Sequence, residues 1–373
     1  MPSTTERIRE MALDAGFDIV GFGPASPDGA TGNQFDAWLD AGRHGEMHWL
    51  ERERDRILAG DRYVRGARGA IALGFEYPGQ SVRIDGASVA RYAAGRDYHR
   101  GLGTRLRRLQ ARMASDGIGA GVLRYGVDAV PVLERSLALQ AGIGFLAKSA
   151  GIIHPRRGPW LLLAEILHGD EFEPTSPAPG SCGTCTACLD ACPTGALVAP
   201  HELDARLCLS YTTIEKRGVI DRSLRAAQGS WLFGCDICIE VCPFTSRATK
   251  QRDDDPDLAL HPALETYTLV GVLEMDVEAW NRDWTGTAIR RAKVEGLRRN
   301  AAIVAGNLHL DQTSPALASC LHDSNAGVRT AAGWALAKLG THRNDLVKAI
   351  DREHDETARD DLALSLDEFG SIG

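Results

Sequence analysis

Two cysteine motifs constrain this chain more than any other feature. Residues 182–193 read CGTCTACLDACP, and residues 234–243 read GCDICIEVCP, a near copy with one cysteine fewer. The first motif has the C-x2-C-x2-C-x3-C-P spacing in which three thiolates hold one 4Fe-4S cluster and the fourth reaches a second cluster. The second motif keeps the spacing of the last three cysteines and has Leu232 in place of the missing one. The pattern therefore predicts a ferredoxin-like domain with two clusters.

The motifs alone do not supply enough ligands for two clusters. Each cluster needs four thiolates, the motifs contain seven cysteines, and Cys208 between them is the only other cysteine of the region. We expect the first cluster on Cys182, Cys185, Cys188 and Cys242 and the second on Cys192, Cys208, Cys235 and Cys238. Structural zinc, which also binds C-x2-C pairs, is the alternative. Cys320, outside the motifs, is expected to be a buried apolar residue.

The composition indicates a globular protein of a reducing compartment. The 373 residues are 44% apolar and 25% charged, and no apolar run is long enough to span a bilayer. Because the N-terminus carries charges of both signs and no apolar signal region, we expect a cytoplasmic protein with no membrane partner. A monomer is also expected. Eight of the nine cysteines lie in residues 182–242, and in such a compartment this clustering favours metal or cluster ligation over disulfides.

The charge distribution gives two candidate contacts for nucleic acid. The net charge of -8 argues against nonspecific coating of nucleic acid, which needs an excess of Lys and Arg. A local excess exists in residues 100–112 and 281–299. A solvated helix face is the alternative explanation of each stretch.

The patterns along the chain predict three domains. Residues 1–170 form a predicted α/β domain, with helices near 4–15, 33–42, 102–115 and 131–141 and buried strands at 18–23, 69–77, 119–125 and 160–167. Pro131 is expected in the first turn of the last helix. Residues 171–250 contain the cysteine motifs, and residues 251–373 have a helical pattern. Within them, residues 297–308 and 328–340 resemble each other, which indicates a two-helix repeat or a coincidence of Ala-rich helices.

Polar residues of the first domain are candidates for catalysis. The loop RYAAGRDYHR contains Tyr92, Asp97, Tyr98 and His99. Asp128 stands between a predicted strand and a predicted helix, and ligand sites of open α/β folds collect at the carboxyl ends of strands. Asp128 is therefore a candidate general acid, with helix capping as the alternative. No G-x-G-x-x-G or G-x4-G-K-[ST] loop is present, so nicotinamide and nucleoside triphosphate binding have no support.

Several segments together resemble the epoxyqueuosine reductases. In chain order they are RYAAGRDYH, VDAVPVLERSLALQAGIGF, IIHPRRGPWLLLAEIL, the first cysteine motif, CLSYTTIEKRG and the second cysteine motif. The resemblance implies a cobalamin-dependent enzyme with two 4Fe-4S clusters, which removes the epoxide oxygen of epoxyqueuosine at the wobble position of tRNA. The first domain would bind cobalamin, and the tail would be a HEAT-like domain that helps to hold the tRNA.

The resemblance also assigns roles to residues. Asp128 would donate a proton to the oxygen released from the epoxide. The side chains expected near the cofactor are Arg56, Arg91, Tyr92, Asp97, His99, Asp128, Lys148, Ser210, Tyr211 and Thr212. Those expected to contact tRNA phosphates are Lys216, Arg217, Arg290, Arg291, Lys293, Arg298 and Arg299. The family usually has Gly-Lys-Asn where this chain has Ala147, Lys148 and Ser149, so the chain departs from the family at Ala147 and Ser149.

Two other classes of protein share some of these features. A reductive dehalogenase would have the cobalamin domain and both clusters but is typically exported, whereas we expect no export signal in this chain. A pure electron-transfer protein would have the clusters and would not bind cobalamin. The expected partners of the tRNA enzyme are tRNA bearing epoxyqueuosine and an electron donor.

Overall fold

The computed structural model describes residues 2–77, 81–119, 123–247 and 255–369. Its strands are β1 (Ile19–Pro24), β2 (Gly69–Glu76), β3 (Val82–Ile84), β4 (Ala87–Val89), β5 (Leu123–Gly126), β6 (Phe145–Leu146), β7 (Ile152–Ile153), β8 (Leu161–His168), β9 (Leu197–Ala199), β10 (Glu202–Leu203) and β11 (Trp231–Phe233). Its helices are α1 (Thr4–Asp14), α2 (Gly29–Asp40), α3 (Trp49–Arg52), α4 (Arg54–Leu58), α5 (Gly60–Tyr63), α6 (Tyr98–Ser115), α7 (Glu134–Gln140), α8 (Ala187–Ala191), α9 (Leu209–Ile214), α10 (Arg222–Arg225), α11 (Ile237–Glu240), α12 (Pro262–Thr266), α13 (Leu269–Leu273), α14 (Val277–Asp283), α15 (Lys293–Asn307), α16 (Ser314–Cys320), α17 (Ala326–Leu339), α18 (Arg343–Arg352) and α19 (Glu356–Glu368). Among these described helices, none combines the length and apolar character that a bilayer crossing requires.

The chain forms two compact units, each made of separate stretches. The first unit consists of Met1–Gly79, Asp97–Ala205 and Ile237–Asp257. The second unit consists of Gln80–Arg96, Arg206–Asp236 and Leu258–Gly373. The boundaries of these units do not coincide with the sequence boundaries near 170 and 250, so the three-domain division stays a prediction.

A four-stranded sheet is the framework of the first unit. Its strand order is β1-β2-β8-β5, and every neighbouring pair is antiparallel. The mixed α/β prediction is confirmed, and the described strands match the predicted ones, except that residues 120–122 lie outside the described chain. The argument that Asp128 lies in a ligand site at the carboxyl ends of parallel strands was wrong. In this antiparallel sheet, the carboxyl ends of neighbouring strands lie at opposite ends of the sheet. The position of Asp128 therefore needs a different explanation.

The segment between β5 and α7 is an irregular loop. The prediction that Pro131 lies in the first helical turn was wrong, because α7 begins at Glu134. Two tight turns precede it, with the Ala129 N–H donating to the Val127 carbonyl at 2.5 Å and the Val132 N–H donating to the Val130 carbonyl at 2.8 Å. A residue before proline avoids the helical region, which favours this non-helical path.

Close packing holds α7 against β1 of the sheet. A Cβ on Gly21 would lie 1.9 Å from the carbonyl oxygen of Ala141, the residue that ends α7. Only glycine allows this approach of strand and helix. The Asp128 loop therefore leaves the sheet from β5 and returns to it through a helix that is fixed in place.

Packed helices form most of the second unit. The two similar sequence stretches are α15 and α17, which pack together with α19 beside them. Gly306 allows close contact of α15 and α17, because a Cβ there would lie 2.8 Å from the Trp334 ring. The buried Arg225 side chain of α10 donates to Asp361 of α19 at 2.6 Å. The prediction of a repeated two-helix unit agrees with this arrangement.

Candidate active site and cofactor ligands

Asp128 has a backbone conformation that few residues adopt. Its φ of 53° lies in the left-handed region, where Asp and Asn are tolerated better than most residues. Its backbone N–H donates to the Glu134 carboxylate, which anchors the loop to the start of α7. Its side chain is 61% exposed. The loop thus presents a carboxyl group that a substrate can reach, at the cost of local strain.

The first turn of α6 supplies the groups around the Asp128 carboxyl. Asp97 caps the helix by accepting the His99 backbone N–H at 3.1 Å, and its Oδ1 lies 2.8 Å from His99 Nδ1. The other ring nitrogen, Nε2, lies 3.6 Å from Asp128 Oδ2. The Tyr98 hydroxyl donates to the same Asp128 oxygen at 2.5 Å. Asp97 thus caps α6, whereas α7, the helix that Asp128 was a candidate to cap, begins after Leu133 without a side-chain cap.

The two carboxyl groups beside His99 make it a cation at neutral pH. Burial lowers the pKa of His99, but its hydrogen bonds with Asp128 and Asp97 outweigh burial and raise that pKa to about 9. Burial also acts on Asp97, where the hydrogen bond with His99 outweighs it and lowers the pKa of the carboxyl. The imidazolium bridges two acids, so a proton is stored within reach of Asp128.

Glu134 and Glu165 are site residues that the sequence did not reveal. Burial, followed by the Asp128 charge, raises the pKa of Glu134 to about 7. Burial also raises the pKa of Glu165, which lies in the middle of β8. The segment WLLLAEIL reads as a buried strand, and a single acid within it was the one available signal.

In the first unit, three thiols of the first motif lie near one of the second. Burial raises the pKa of the Cys242 thiol, and Cys182 and Cys185 add to the effect through their charge. Cys188 is likewise affected by burial and by Cys182 and Cys242. The helices that carry Cys188 and Cys238, α8 and α11, pack against each other. Whether these four thiols bind the first cluster stays a prediction.

Lys148 lies against the first cysteine motif. Its ammonium group donates to the carbonyls of Gly183 at 2.8 Å and Cys185 at 2.9 Å. Its backbone N–H points to Cys182 Sγ at 3.4 Å. These bonds hold the cysteine loop, and a positive charge beside thiolates stabilises them. The contact of Lys148 with cobalamin stays a prediction.

The cofactor residues predicted in the second unit lie on adjoining segments. The Arg91 backbone N–H donates to the Asp236 carboxylate at 2.8 Å, and the Tyr92 ring lies 6.3 Å from that of Phe233. The helix α9 follows Cys208, packs on β11 and contains Ser210, Tyr211 and Thr212. Tyr211 and Thr212 are buried. The strand β11, which ends shortly before Cys235, is thus next to Tyr92 and to the helix α9.

The basic residues expected to bind tRNA differ in their accessibility. Arg299 is 2% exposed and donates to the carbonyls of Thr212, Lys216 and Gly218. It holds α15 to the segment after α9, which contradicts the expectation that it contacts phosphate. The Arg298 side chain is mostly covered as well, and it forms an ion pair at 2.7 Å with the Asp323 carboxylate, whose side chain is buried.

The other basic candidates of the second unit remain at the surface. Arg217, Arg291 and Lys293 are exposed. Arg291 pairs with Glu215 at 2.7 Å, and Arg290 donates to the carbonyl of Trp280 at 3.1 Å. In the first unit, Arg56 of α4 is exposed and pairs with Glu53 at 3.0 Å. Its contact with the cofactor stays a prediction.

Comparison with known proteins identifies the family. Residues 59–129 match the family described as epoxyqueuosine reductase QueG, DUF1730, residues 181–245 match the 4Fe-4S double cluster binding domain, and residues 286–367 match HEAT repeats. An epoxyqueuosine reductase of Xanthomonas campestris is 38% identical over 343 residues, which cover 90% of this chain and 96% of the relative. The chain belongs to the epoxyqueuosine reductase family. The resemblance, the ferredoxin-like domain and the HEAT-like tail are thereby confirmed.

Solved structures of epoxyqueuosine reductases have the same fold. One, determined with an epoxyqueuosine-modified stem loop of tRNA-Tyr, is 27% identical, has a TM-score of 0.88 and is matched over 98% of both chains. Another, from Bacillus subtilis, has its catalytic loop swung out of the active site; it is 27% identical, with a TM-score of 0.87 over 97% of this chain and 98% of that one.

The charged state of His99 predicts a pH-dependent stability. A raised histidine pKa stabilises the folded protein fully below the ordinary value of 6.5, and this contribution is lost as the pH rises through about 9. Because the side chain is 36% exposed, solvent screening reduces it to about 1 kcal/mol. His99→Gln should therefore lower the free energy of unfolding more at about pH 6 than at about pH 10.

Urea titrations at both pH values measure this difference. His309→Gln, which changes an exposed histidine of the second unit, is the control and should have no such pH dependence. An equal loss of stability at both pH values in His99→Gln would show that the imidazole is not charged in the folded protein.

Proposed function

We propose that this protein reduces epoxyqueuosine in tRNA to queuosine. The support is its family membership together with the exposed carboxyl of Asp128 between Tyr98 and His99. Conversion of an epoxide to a C=C double bond consumes two electrons and two protons and releases the oxygen as water. The site must therefore deliver protons to an oxygen, and the chain must bring electrons to it. We place the reaction in the cytoplasm, where tRNA is modified.

The donor set fits two iron–sulfur clusters. We propose Cys182, Cys185, Cys188 and Cys242 as ligands of the first cluster and Cys192, Cys208, Cys235 and Cys238 as ligands of the second. The mutual proximity of the first four thiols supports this assignment. When bound, cobalamin would supply a low-valent cobalt centre as the reductant of the epoxide, and the clusters would supply its electrons one at a time. Asp128, with its accessible carboxyl, is the residue that would face that centre.

Asp128 acts as the proton donor in this proposal. Opening of the epoxide leaves an alkoxide, and a carboxylic acid within hydrogen-bond reach can protonate it. The Tyr98 hydroxyl holds one carboxyl oxygen in place at 2.5 Å. At neutral pH His99 holds the proton, and its Nε2 lies 3.6 Å from Asp128 Oδ2, so a small movement of either side chain passes the proton to Asp128, which delivers it to the alkoxide.

A basic cleft of the second unit is proposed to contact the tRNA backbone. Lys216, Arg217 and Lys293 line it, with Glu295 as the acidic member. Positive side chains at the surface bind phosphates regardless of base sequence. Arg290 and Arg291 extend the same basic stretch. Arg299 supports this cleft from beneath by fixing the Lys216 and Gly218 carbonyls.

Asp128→Asn tests the proton donor. Asn also tolerates a φ of 53°, so the loop keeps its shape while the acid is lost. We expect turnover to fall by about 10²-fold or more, with cobalamin binding retained. Mass spectrometry of digested tRNA measures the queuosine formed, and cofactor absorbance after gel filtration measures binding. Asp116→Asn, a surface substitution at the C-terminal end of α6, should be without effect. Full activity of Asp128→Asn would refute the assignment.

Cys208→Ser tests the eighth ligand. If Cys208 binds the second cluster, anaerobically purified variant protein should lose about half of its roughly eight iron atoms per chain. Cys320→Ala is the matched control, because Cys320 is buried and lies outside both motifs. Iron assay and electron paramagnetic resonance of the reduced protein provide the readout. Unchanged iron content in Cys208→Ser would exclude it as a ligand.

Lys293→Gln tests the basic cleft. Loss of one phosphate contact should weaken tRNA binding a few-fold and reduce the slope of log affinity against log salt by about 1. Lys348→Gln is the control, since Lys348 is exposed on α18 and pairs with Asp345. Fluorescence titrations at several salt concentrations measure both quantities. An identical slope in the two variants would remove Lys293 from the interface.

A further inference from the structure

The carboxyl group of Glu165 is buried without a donor. It lies in β8 with Ala72 opposite on β2 and Gly126 opposite on β5. Glu165 is 2% exposed, and within the described chain neither of its oxygens accepts a hydrogen bond from a donor group. A buried carboxylate in such surroundings is costly unless it gains a proton or a cation.

The group that Glu165 meets is another carboxyl. The helix α7, which begins at Glu134, packs against β8, the Glu134 charge raises the pKa of Glu165, and Glu134 also accepts the Asp128 backbone N–H. The other charges that act on the pair are those of Asp128 and Arg135, and Arg135 donates its hydrogen bond to the carbonyl of Ala150 instead. Two carboxyl groups in contact cannot both be ionised at low cost, so one of them keeps a proton.

The backbone is shaped to bring this pair beneath the Asp128 loop. A Cβ on Gly126 would lie 2.3 Å from Glu165 Oε1 and 2.3 Å from Val130 Cγ2. Only a glycine two residues before Asp128 leaves room for the carboxyl and for the returning loop. The acid pair and the strained residue are thus parts of one packed arrangement.

We propose that Glu134 and Glu165 hold one proton between them and that this shared proton keeps the Asp128 loop in its catalytic conformation. The protonated oxygen donates to the partner carboxylate, and Glu134 retains a lone pair for the Asp128 N–H. Without the proton, two adjacent anions repel, Glu134 moves, and Asp128 loses the anchor of its left-handed backbone. Both are positioning residues, and their role in turnover rests on the function proposed above.

Infrared spectroscopy of the resting protein tests the shared proton without any substrate. At neutral pH we expect the C=O band of a protonated buried carboxylic acid, shifted in heavy water. Glu165→Gln should abolish the band, and Glu134→Gln should shift it. Glu76→Gln is the matched control, because Glu76 is a buried acid of the same sheet that pairs with Arg157. No such band at neutral pH, or a band unchanged in both pair variants, would overturn the proposal.

The pH profile of turnover tests the link to Asp128. The kcat of the wild-type enzyme should fall at alkaline pH as the pair loses its proton. In Glu165→Gln the amide donates a hydrogen bond at every pH. The pH at which kcat falls on the alkaline side should therefore rise by about one unit or more, while the KM for tRNA stays the same. If kcat falls at the same alkaline pH in the variant as in the wild type, the positioning role is refuted. Absence of epoxyqueuosine reduction in the wild type would refute the proposed function alone, since the infrared result decides the proton independently.

Discussion

The pairing of β8 with both β2 and β5 is the constraint on which the active-site region depends. This register sets Glu165 opposite Gly126, and the chain leaves β5 at that glycine to enter the Asp128 loop. Because side chains alternate between the faces of a strand, a slip of one residue would turn Glu165 to the opposite face. The antiparallel sheet therefore positions Glu134 and Glu165 beneath the Asp128 loop, where Glu134 anchors the strained backbone of Asp128.

Asp128 has different surroundings on its two sides. Its carboxyl meets the charged His99 and the Tyr98 hydroxyl, and its backbone is anchored by Glu134. The charged His99 thus lies where a proton has to move, whereas the Asp128 backbone is held by the half-buried Glu134. Such a separation lets the carboxyl change its protonation state while the loop keeps its shape.

The proposed cluster ligands are exchanged between the two cysteine motifs. Cys242 of the second motif lies near Cys182, Cys185 and Cys188 of the first, as the ferredoxin spacing predicts. The second motif lacks its first cysteine, and the proposed replacement is Cys208, which directly precedes α9. That helix contains Ser210, Tyr211 and Thr212, so a ligand taken from this segment connects a cluster to residues predicted at the cofactor.

Local patterns in the sequence were sufficient for much of this protein. The spacing of the cysteines, the alternation of helix and strand and the repeated helices α15 and α17 all depend on residues close together in the chain, and the family resemblance singled out Asp128. Tertiary structure decided the antiparallel strand order, the burial of Arg299, the bonds of Lys148 to the cysteine loop and the meeting of Glu134 with Glu165. Backbone periodicity is encoded within a few residues, whereas these contacts depend on the register between strands and helices that are far apart in sequence.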